Sequence, residues 1–263
     1  MSPPLHVVRS GTGPVLLLIH GSATDHLTWL IQLSSALRRR FQLWAYDRRG
    51  TGQSGGDLPE LPERIEEHAA DALALARQAA APVWMVGSSF GAVVALEALR
   101  TAPELFRGVG LIEPPLPVTA EARATSDSFL AEFDRTVAAS GGPAGAELFL
   151  RTVLGAEAFG RIPGAFLQRS TALWRQIRAD AVALRAYAPR YAELARVAVP
   201  TLLLAGERSS SYFRPALDEL ARALPRARLV TLAGAGHMLH AEAPRRFAEL
   251  LAEFAEGVEA AED

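Results

Sequence analysis

The sequence predicts an α/β fold, a mostly parallel central sheet covered by helices, with a helical insertion in its second half. Three observations lead there. Short apolar runs alternate with longer Ala- and Leu-rich segments of helical character. Glycine-containing turns close several of the apolar runs. The alternation then lapses between Pro114 and Val199, where Phe129, Phe133, Phe149, Phe159, Phe166, Trp174, Tyr187 and Tyr191 sit among helix formers.

In chain order, strands are expected at Val15 to Ile19, Leu43 to Tyr46, Val83 to Val86, Val109 to Ile112, Thr201 to Ala205 and Arg228 to Leu232, with Leu5 to Arg9 as an antiparallel edge strand. Helices are expected around Thr28 to Arg39, Arg64 to Ala79, Phe90 to Arg100, Pro215 to Ala223 and Pro244 to Phe254. The breakers Gly141, Gly142, Pro143, Gly145, Gly155, Gly160, Pro163 and Gly164 divide the insertion into short helices. The expected organisation is one core, residues 1–113 and 200–263, interrupted by a helical cap, residues 114–199. With 263 residues, 49% hydrophobic, the chain is long enough to bury a full core of that kind. The acidic tail from Glu256 to Asp263 is expected to fray.

Composition excludes several function classes. A net charge of -2, with both signs spread along the chain, leaves no electrostatic footprint for nucleic acid or an anionic membrane. Arg38, Arg39 and Arg40 read as the solvated end of a helix. The absence of cysteine removes disulfides, thiolate catalysis and thiolate metal sites together. Met1 to Arg9 lacks the basic-then-apolar pattern of a leader, and no apolar stretch reaches the length of a membrane span. The expectation is a cytoplasmic protein, monomeric or homodimeric.

Chemistry must then come from oxygen and nitrogen groups. Gly87-Ser88-Ser89-Phe90-Gly91 lies between an apolar strand and a helical stretch, the sequence and context of a nucleophile elbow. Ser89 is the candidate nucleophile, exposed by a strained turn at the carboxyl edge of the sheet. His20-Gly21-Ser22 closes another strand, as expected of the loop that supplies an oxyanion donor, so the backbone N–H groups of Ser22 and Phe90 are the candidate oxyanion hole. His20 itself reads as a loop-holding residue, with a second general base as the alternative. Asp47 to Gly55 reads as a tight turn with an internal Asp47–Arg48 pair; a phosphate loop would need a Lys-Ser/Thr ending that is missing. Gly234-Ala235-Gly236-His237 places an imidazole on a flexible turn after the last strand, and a neutral imidazole suits general-base work near physiological pH. His240 is expected to brace that loop. His6, His26 and His68 lack an accompanying motif, although His26 is close enough to the oxyanion loop to border a pocket.

Through His20-Gly21, the Asp47 to Gly55 turn, Gly87 to Gly91 and Gly236-His237, in that order, the chain resembles the α/β-hydrolase superfamily, in its capped serine-esterase-like branch. The resemblance implies a triad whose acid usually lies a few residues beyond a glycine, after the strand at Thr201 to Ala205. Here the matching position carries Ser209, a neutral hydroxyl that cannot stabilise an imidazolium by charge. Two carboxylates remain. Glu113 closes a central apolar strand that by resemblance neighbours the nucleophile strand, about 4.8 Å away laterally. A charge at the end of such a strand needs a partner, which His237 would provide. Glu207 is the alternative, with a surface charge paired to Arg208 as its plain reading.

The expected triad is Ser89, His237 and Glu113. The expected activity is hydrolysis of carboxylic esters or related acyl bonds through an acyl-enzyme, with no metal or organic cofactor implied. The aromatic insertion suggests a small apolar acyl substrate. A carbon–carbon hydrolase, a thioesterase and a cofactor-free perhydrolase would use the same triad. A small-ligand receptor on the same fold is the non-enzymatic alternative.

Overall fold

The computed structural model describes residues 4–55, 61–79 and 82–261. Met1, Ser2 and Pro3, and Glu262 and Asp263 of the acidic tail, therefore lie outside the described residues. The strands are β1 (Val7–Ser10), β2 (Val15–Ile19), β3 (Gln42–Tyr46), β4 (Val83–Ser88), β5 (Phe106–Ile112), β6 (Thr201–Gly206) and β7 (Ala227–Leu232), paired in the order β1-β3-β2-β4-β5-β6-β7. Only β1 runs antiparallel, with Val7 opposite Tyr46. All other pairs are parallel. The chain winds from β2 outward to β3 and returns to β4 on the other side, so the loops after β2 and β4 diverge and leave a crevice at their carboxyl ends.

The α-helices are α1 (Leu30–Ser34), α2 (Ile65–Gln78), α3 (Phe90–Thr101), α4 (Ala120–Ser140), α5 (Gly142–Gly160), α6 (Gly164–Ala172), α7 (Trp174–Ala186), α8 (Tyr191–Leu194), α9 (Arg214–Ala223), α10 (Leu239–Glu242) and α11 (Pro244–Glu259). Alternation along β2 sends Leu17 and Ile19 into one core with Ala69, Leu96 and Leu217 of α2, α3 and α9. Leu16 and Leu18 enter the other, with Leu33 and Leu250 of α1 and α11. Both faces are thus buried, as a parallel sheet requires. No described helix is long and apolar enough to cross a membrane.

Three local expectations are corrected. The stretch from Thr28 to Arg39 is split by Ser35, whose backbone is extended at ψ 179°. Its hydroxyl donates to Gln32 O at 2.8 Å and accepts from Leu37 N at 3.2 Å, the serine competition with helical bonding that favours caps. The C-terminal helix continues to Glu259 instead of fraying from Glu256, because Phe247, Leu250, Leu251 and Val258 keep one apolar stripe in the core. Arg40 holds its last turn through Glu256 at 3.2 Å and Glu259 at 2.5 Å. Gly145 does not break a helix. It lies inside α5, where a Cβ would stand 2.5 Å from Val137 Cγ2, so it lets α4 and α5 approach closely.

Between β5 and β6 the chain forms α4 to α8, with α5 bent at Gly155. Phe133, Ala146, Leu150, Phe159 and Ile177 make a separate apolar cluster that also takes in Ala23 from the loop after β2.

Candidate active site

The turn from β4 to α3 holds Ser89 at φ 54° and ψ −120°, a left-handed-side backbone that a serine adopts only when its surroundings enforce it. Two glycines make that turn possible. A Cβ on Gly87 would stand 2.1 Å from Gly91 O, and one on Gly91 would stand 2.4 Å from Ile19 O. The Ser89 amide donates to Ile112 O at 2.8 Å, attaching the turn to β5. Gly21 approaches from the next loop, its position for a Cβ 3.1 Å from Ser89 Cβ. The Ser22 and Phe90 amides donate to no acceptor among the described residues. The Phe90 amide belongs to the first turn of α3, where N–H groups lack intrahelical partners.

His237 and Glu113 come together from the chain segments that follow β7 and β5, two strands apart at the carboxyl edge of the sheet. Nδ1 of His237 lies 2.6 Å from Oε2 of Glu113, and Oε1 accepts from the Gly206 amide at 2.7 Å. An ionised carboxylate only accepts, so the ring proton sits on Nδ1 and Nε2 is the basic nitrogen. Glu113 is 1% exposed and its backbone has φ 44°, a second strained residue at the sheet's carboxyl edge. Phe213 stacks on the imidazole at 4.4 Å and 12°, which restrains its rotation. Ser89 and His237 line one cavity, without a hydrogen bond between them.

The alternatives for the acid lie elsewhere. Glu207 is exposed and accepts from the Gly234 amide at 2.7 Å. Its expected partner Arg208 pairs instead with Glu242, at 3.1 Å. The Ser209 hydroxyl is buried without a partner among the described residues.

His20 holds the loop. Its Nδ1 lies 2.8 Å from Gly21 O, and its Nε2 accepts from the Arg48 amide at 2.9 Å. Burial, and next the Arg48 charge, push its pKa well below the ordinary value, so it stays neutral. His240 braces the His237 loop as expected. Its Nε2 meets Thr28 Oγ1 at 3.0 Å and its carbonyl accepts from Gln32. Burial, with the nearby His237, lowers its pKa to about 3.

The expected Asp47–Arg48 pair does not form. Asp47 Oδ1 accepts from the His26 amide at 2.8 Å and meets its Nδ1 at 2.7 Å, while Oδ2 accepts from the Gln53 amide at 2.8 Å. His26 is thereby drawn to Asp47 and away from the cavities flanking Ser89. His6, His26 and Asp47 could offer ligand atoms within 4.8 Å of one another to a cation. Asp47, though, is already occupied by three hydrogen bonds that organise its turn. Arg48 instead crosses to Asp180 of α7, with Nη1 at 3.0 Å and Nη2 at 2.7 Å.

Two cavities meet at Ser22 and Ser89, of about 350 and 220 Å³. Leu150, Leu154, Phe166 and Met238 line the first; Phe129, Ile177, Leu184 and Phe213 line the second. Phe149 and Val153 border both. The charged side chains on these walls are Arg161 and Glu242, both in the larger cavity.

Sequence reasoning missed Asp180 and Phe213. A signal for Asp180 was present: it stands three residues after Ile177 and three before Ala183, so it occupies the buried stripe of an amphipathic helix where a carboxylate demands a partner. Nothing local distinguishes Phe213 from the other aromatics.

Comparison with known proteins follows the same outline. The family model described as "Alpha/beta hydrolase family" matches residues 16–250. A 2-(acetamidomethylene)succinate hydrolase of Mesorhizobium japonicum is 30% identical over 258 residues, which covers 91% of this chain and 87% of that protein. A solved alpha/beta hydrolase from Sphaerobacter thermophilus is 27% identical with a TM-score of 0.73, covering 95% of this chain and 96% of that one. A thermophilic esterase from Thermogutta terrifontis shares the fold at TM-score 0.79 and 22% identity, covering 97% and 93% of the two chains. Matched from β2 into α11, the chain belongs to the alpha/beta hydrolase family and is a hydrolase.

Proposed function

We propose that this chain is a serine hydrolase that cleaves carboxylic esters or related acyl bonds, with Ser89 as nucleophile, His237 as general base and acid, and Glu113 as the triad carboxylate. The observation that carries the reading is the buried 2.6 Å contact of Glu113 with His237, whose other nitrogen is free and whose ring shares a cavity with the strained Ser89. In the proposed cycle Ser89 Oγ attacks the acyl carbon as Nε2 takes its proton, and the oxyanion lies on the Ser22 and Phe90 amides. Glu113 steadies the imidazolium. His237 then protonates the leaving group and activates water for deacylation.

Helices α4 to α7 serve as a cap that encloses the substrate, residues 114–199 forming the insertion and the remainder the catalytic core. The 30% identical relative is named for a dicarboxylate substrate. Among the described residues Arg161 is the only arginine or lysine lining these cavities, and it already pairs with Glu157 at 2.7 Å, so the walls suit neutral, apolar acyl groups better than a dianion.

The test combines active-site labelling with a substrate panel. A fluorophosphonate should label Ser89 alone, and Ser89→Ala should lower turnover of p-nitrophenyl esters by several orders of magnitude without unfolding the protein. Labelling at Ser88, or turnover retained in Ser89→Ala, would sink the assignment. A panel dominated by thioesters or by carbon–carbon cleavage would redirect the substrate class while leaving the triad.

A further inference from the structure

The peptide unit between Gly21 and Ser22 is gripped by its oxygen. Gly21 O accepts from His20 Nδ1 at 2.8 Å and from Arg48 Nη2 at 3.2 Å. The His20 proton is on Nδ1 because Nε2 is occupied as an acceptor for the Arg48 amide. A trans peptide is planar, with its N–H opposed to its C=O, so holding Gly21 O also sets the direction of the Ser22 N–H. A cationic donor on the carbonyl further polarises that N–H.

Arg48 is itself held by a group from outside the core. Asp180 of α7 takes both its terminal nitrogens and, through Oδ2, the Ser22 hydroxyl at 2.6 Å. The guanidinium carbon lies 4.3 Å from the centre of the Phe90 ring, the residue that bears the second oxyanion amide. The side chains of Arg48 and Asp180 are only 1% and 4% exposed. A pair so buried gains little net stability over apolar packing, so stability alone is a weak reason for it. Besides a 3.5 Å approach of Arg48 Nη1 to His68 Nε2, its contacts fall on the Gly21–Ser22 peptide, the Ser22 hydroxyl and the Phe90 ring, which are the two sides of the oxyanion hole.

We propose that Arg48 and Asp180 are positioning residues that hold the Gly21–Ser22 peptide in its oxyanion-binding orientation, so that the insertion helix α7 completes the oxyanion hole of the core. This rests on the serine-hydrolase reading above. The pair touches no reacting atom; it acts through the Ser22 amide.

The experiment measures kcat and KM on a neutral p-nitrophenyl ester, and Ki for an alkyl trifluoromethyl ketone whose hemiketal oxygen must occupy the hole. Asp180→Asn should lower kcat roughly 10- to 100-fold, less than deleting a donor outright. Its KM should stay within about threefold, and Ki should weaken in step with kcat. Arg48→Lys keeps the charge but loses the planar fork and should behave alike. Ser22→Ala, which removes only the hydroxyl, should cost about two- to tenfold in kcat. A folded Asp180→Asn protein, checked by circular dichroism, that keeps kcat and Ki within about twofold would show the pair to be structural only. If Asp180→Asn does not fold, unchanged kcat and Ki in both Arg48→Lys and Ser22→Ala overturn the proposal. Wild-type protein that is neither labelled at Ser89 nor active on any ester overturns the serine-hydrolase reading, and this inference with it; labelled, active wild type with indifferent variants overturns only the inference.

Discussion

Glu113 and His237 meet at 2.6 Å although 124 residues separate them, and the carboxylate reaches the ring from the strand beside the one that bears Ser89. Its second oxygen is fixed by the Gly206 amide, at the start of the loop where relatives usually keep their acid. Burial, two short contacts and a strained backbone leave this side chain one geometry.

Removing that charge while keeping the shape should therefore be costly. Glu113→Gln is expected to lower kcat by roughly 10²- to 10⁴-fold, and Glu207→Gln to change it less than about twofold. Steady-state kinetics of the two purified variants decide between them. Loss of activity in Glu207→Gln with Glu113→Gln intact would move the acid to the later loop.

The Ser209 hydroxyl is buried and unpartnered among the described residues, and it lies 2.7 Å from where a Cβ on Gly206 would stand. An aspartate there would place a carboxylate in the loop whose Gly206 amide binds Glu113. Ser209→Asp in the Glu113→Gln background should recover at least about tenfold in kcat, since a triad needs a negative partner at Nδ1 and not a particular strand. No recovery in a folded double variant would show that the loop cannot deliver the charge.

Phe149 borders both cavities beside Ser89. Phe149→Ala should widen the passage between them, so kcat/KM for octanoate relative to butyrate p-nitrophenyl esters should rise severalfold, within the roughly 10- to 200-fold that pocket size can discriminate. An unchanged chain-length profile would mean that this ring does not limit the acyl group.

Three buried histidines should make the fold acid-sensitive. Burial, then Arg48, lowers His20 and His68 well below their ordinary value, and His240 falls to about 3. Between those values and about 6.5, the unfolded chain binds protons that the folded one refuses. Their contribution is complete above about pH 6.5 and is lost as pH falls, at up to about 1.4 kcal/mol per pH unit for each group. Urea unfolding from pH 7 to pH 4 should show this slope, and His240→Gln should flatten it by about one proton. An identical slope in the variant would mean that His240 does not carry that share.

Much of the scaffold was legible because its signals are local. Val15 to Ile19 and Val83 to Val86 are apolar runs buried on both faces, and the glycines around Ser89 announce a turn that only small residues permit. Glu113 could be singled out since a charge ending such a run demands compensation. The rest depended on contacts across the fold. Arg48 was read with its sequence neighbour Asp47, yet its partner is 132 residues away, and Asp47 is satisfied by His26 and two backbone amides. The break at Ser35 turned on a side-chain hydrogen bond that helix propensity does not register.

The placement of Asp180 on α7 has a consequence for protein engineering. Helices α4 to α7 look like an exchangeable module, a natural unit to swap between relatives when a new substrate range is wanted. A graft that lacked a carboxylate at the place of Asp180 would leave Arg48 buried and uncompensated beside the Gly21–Ser22 peptide, a defect that costs about 3–5 kcal/mol when one partner of such a pair is removed. Chimeras should be chosen first by whether the incoming helices bring an acid to Arg48, and only then by the shape of the cavity they enclose.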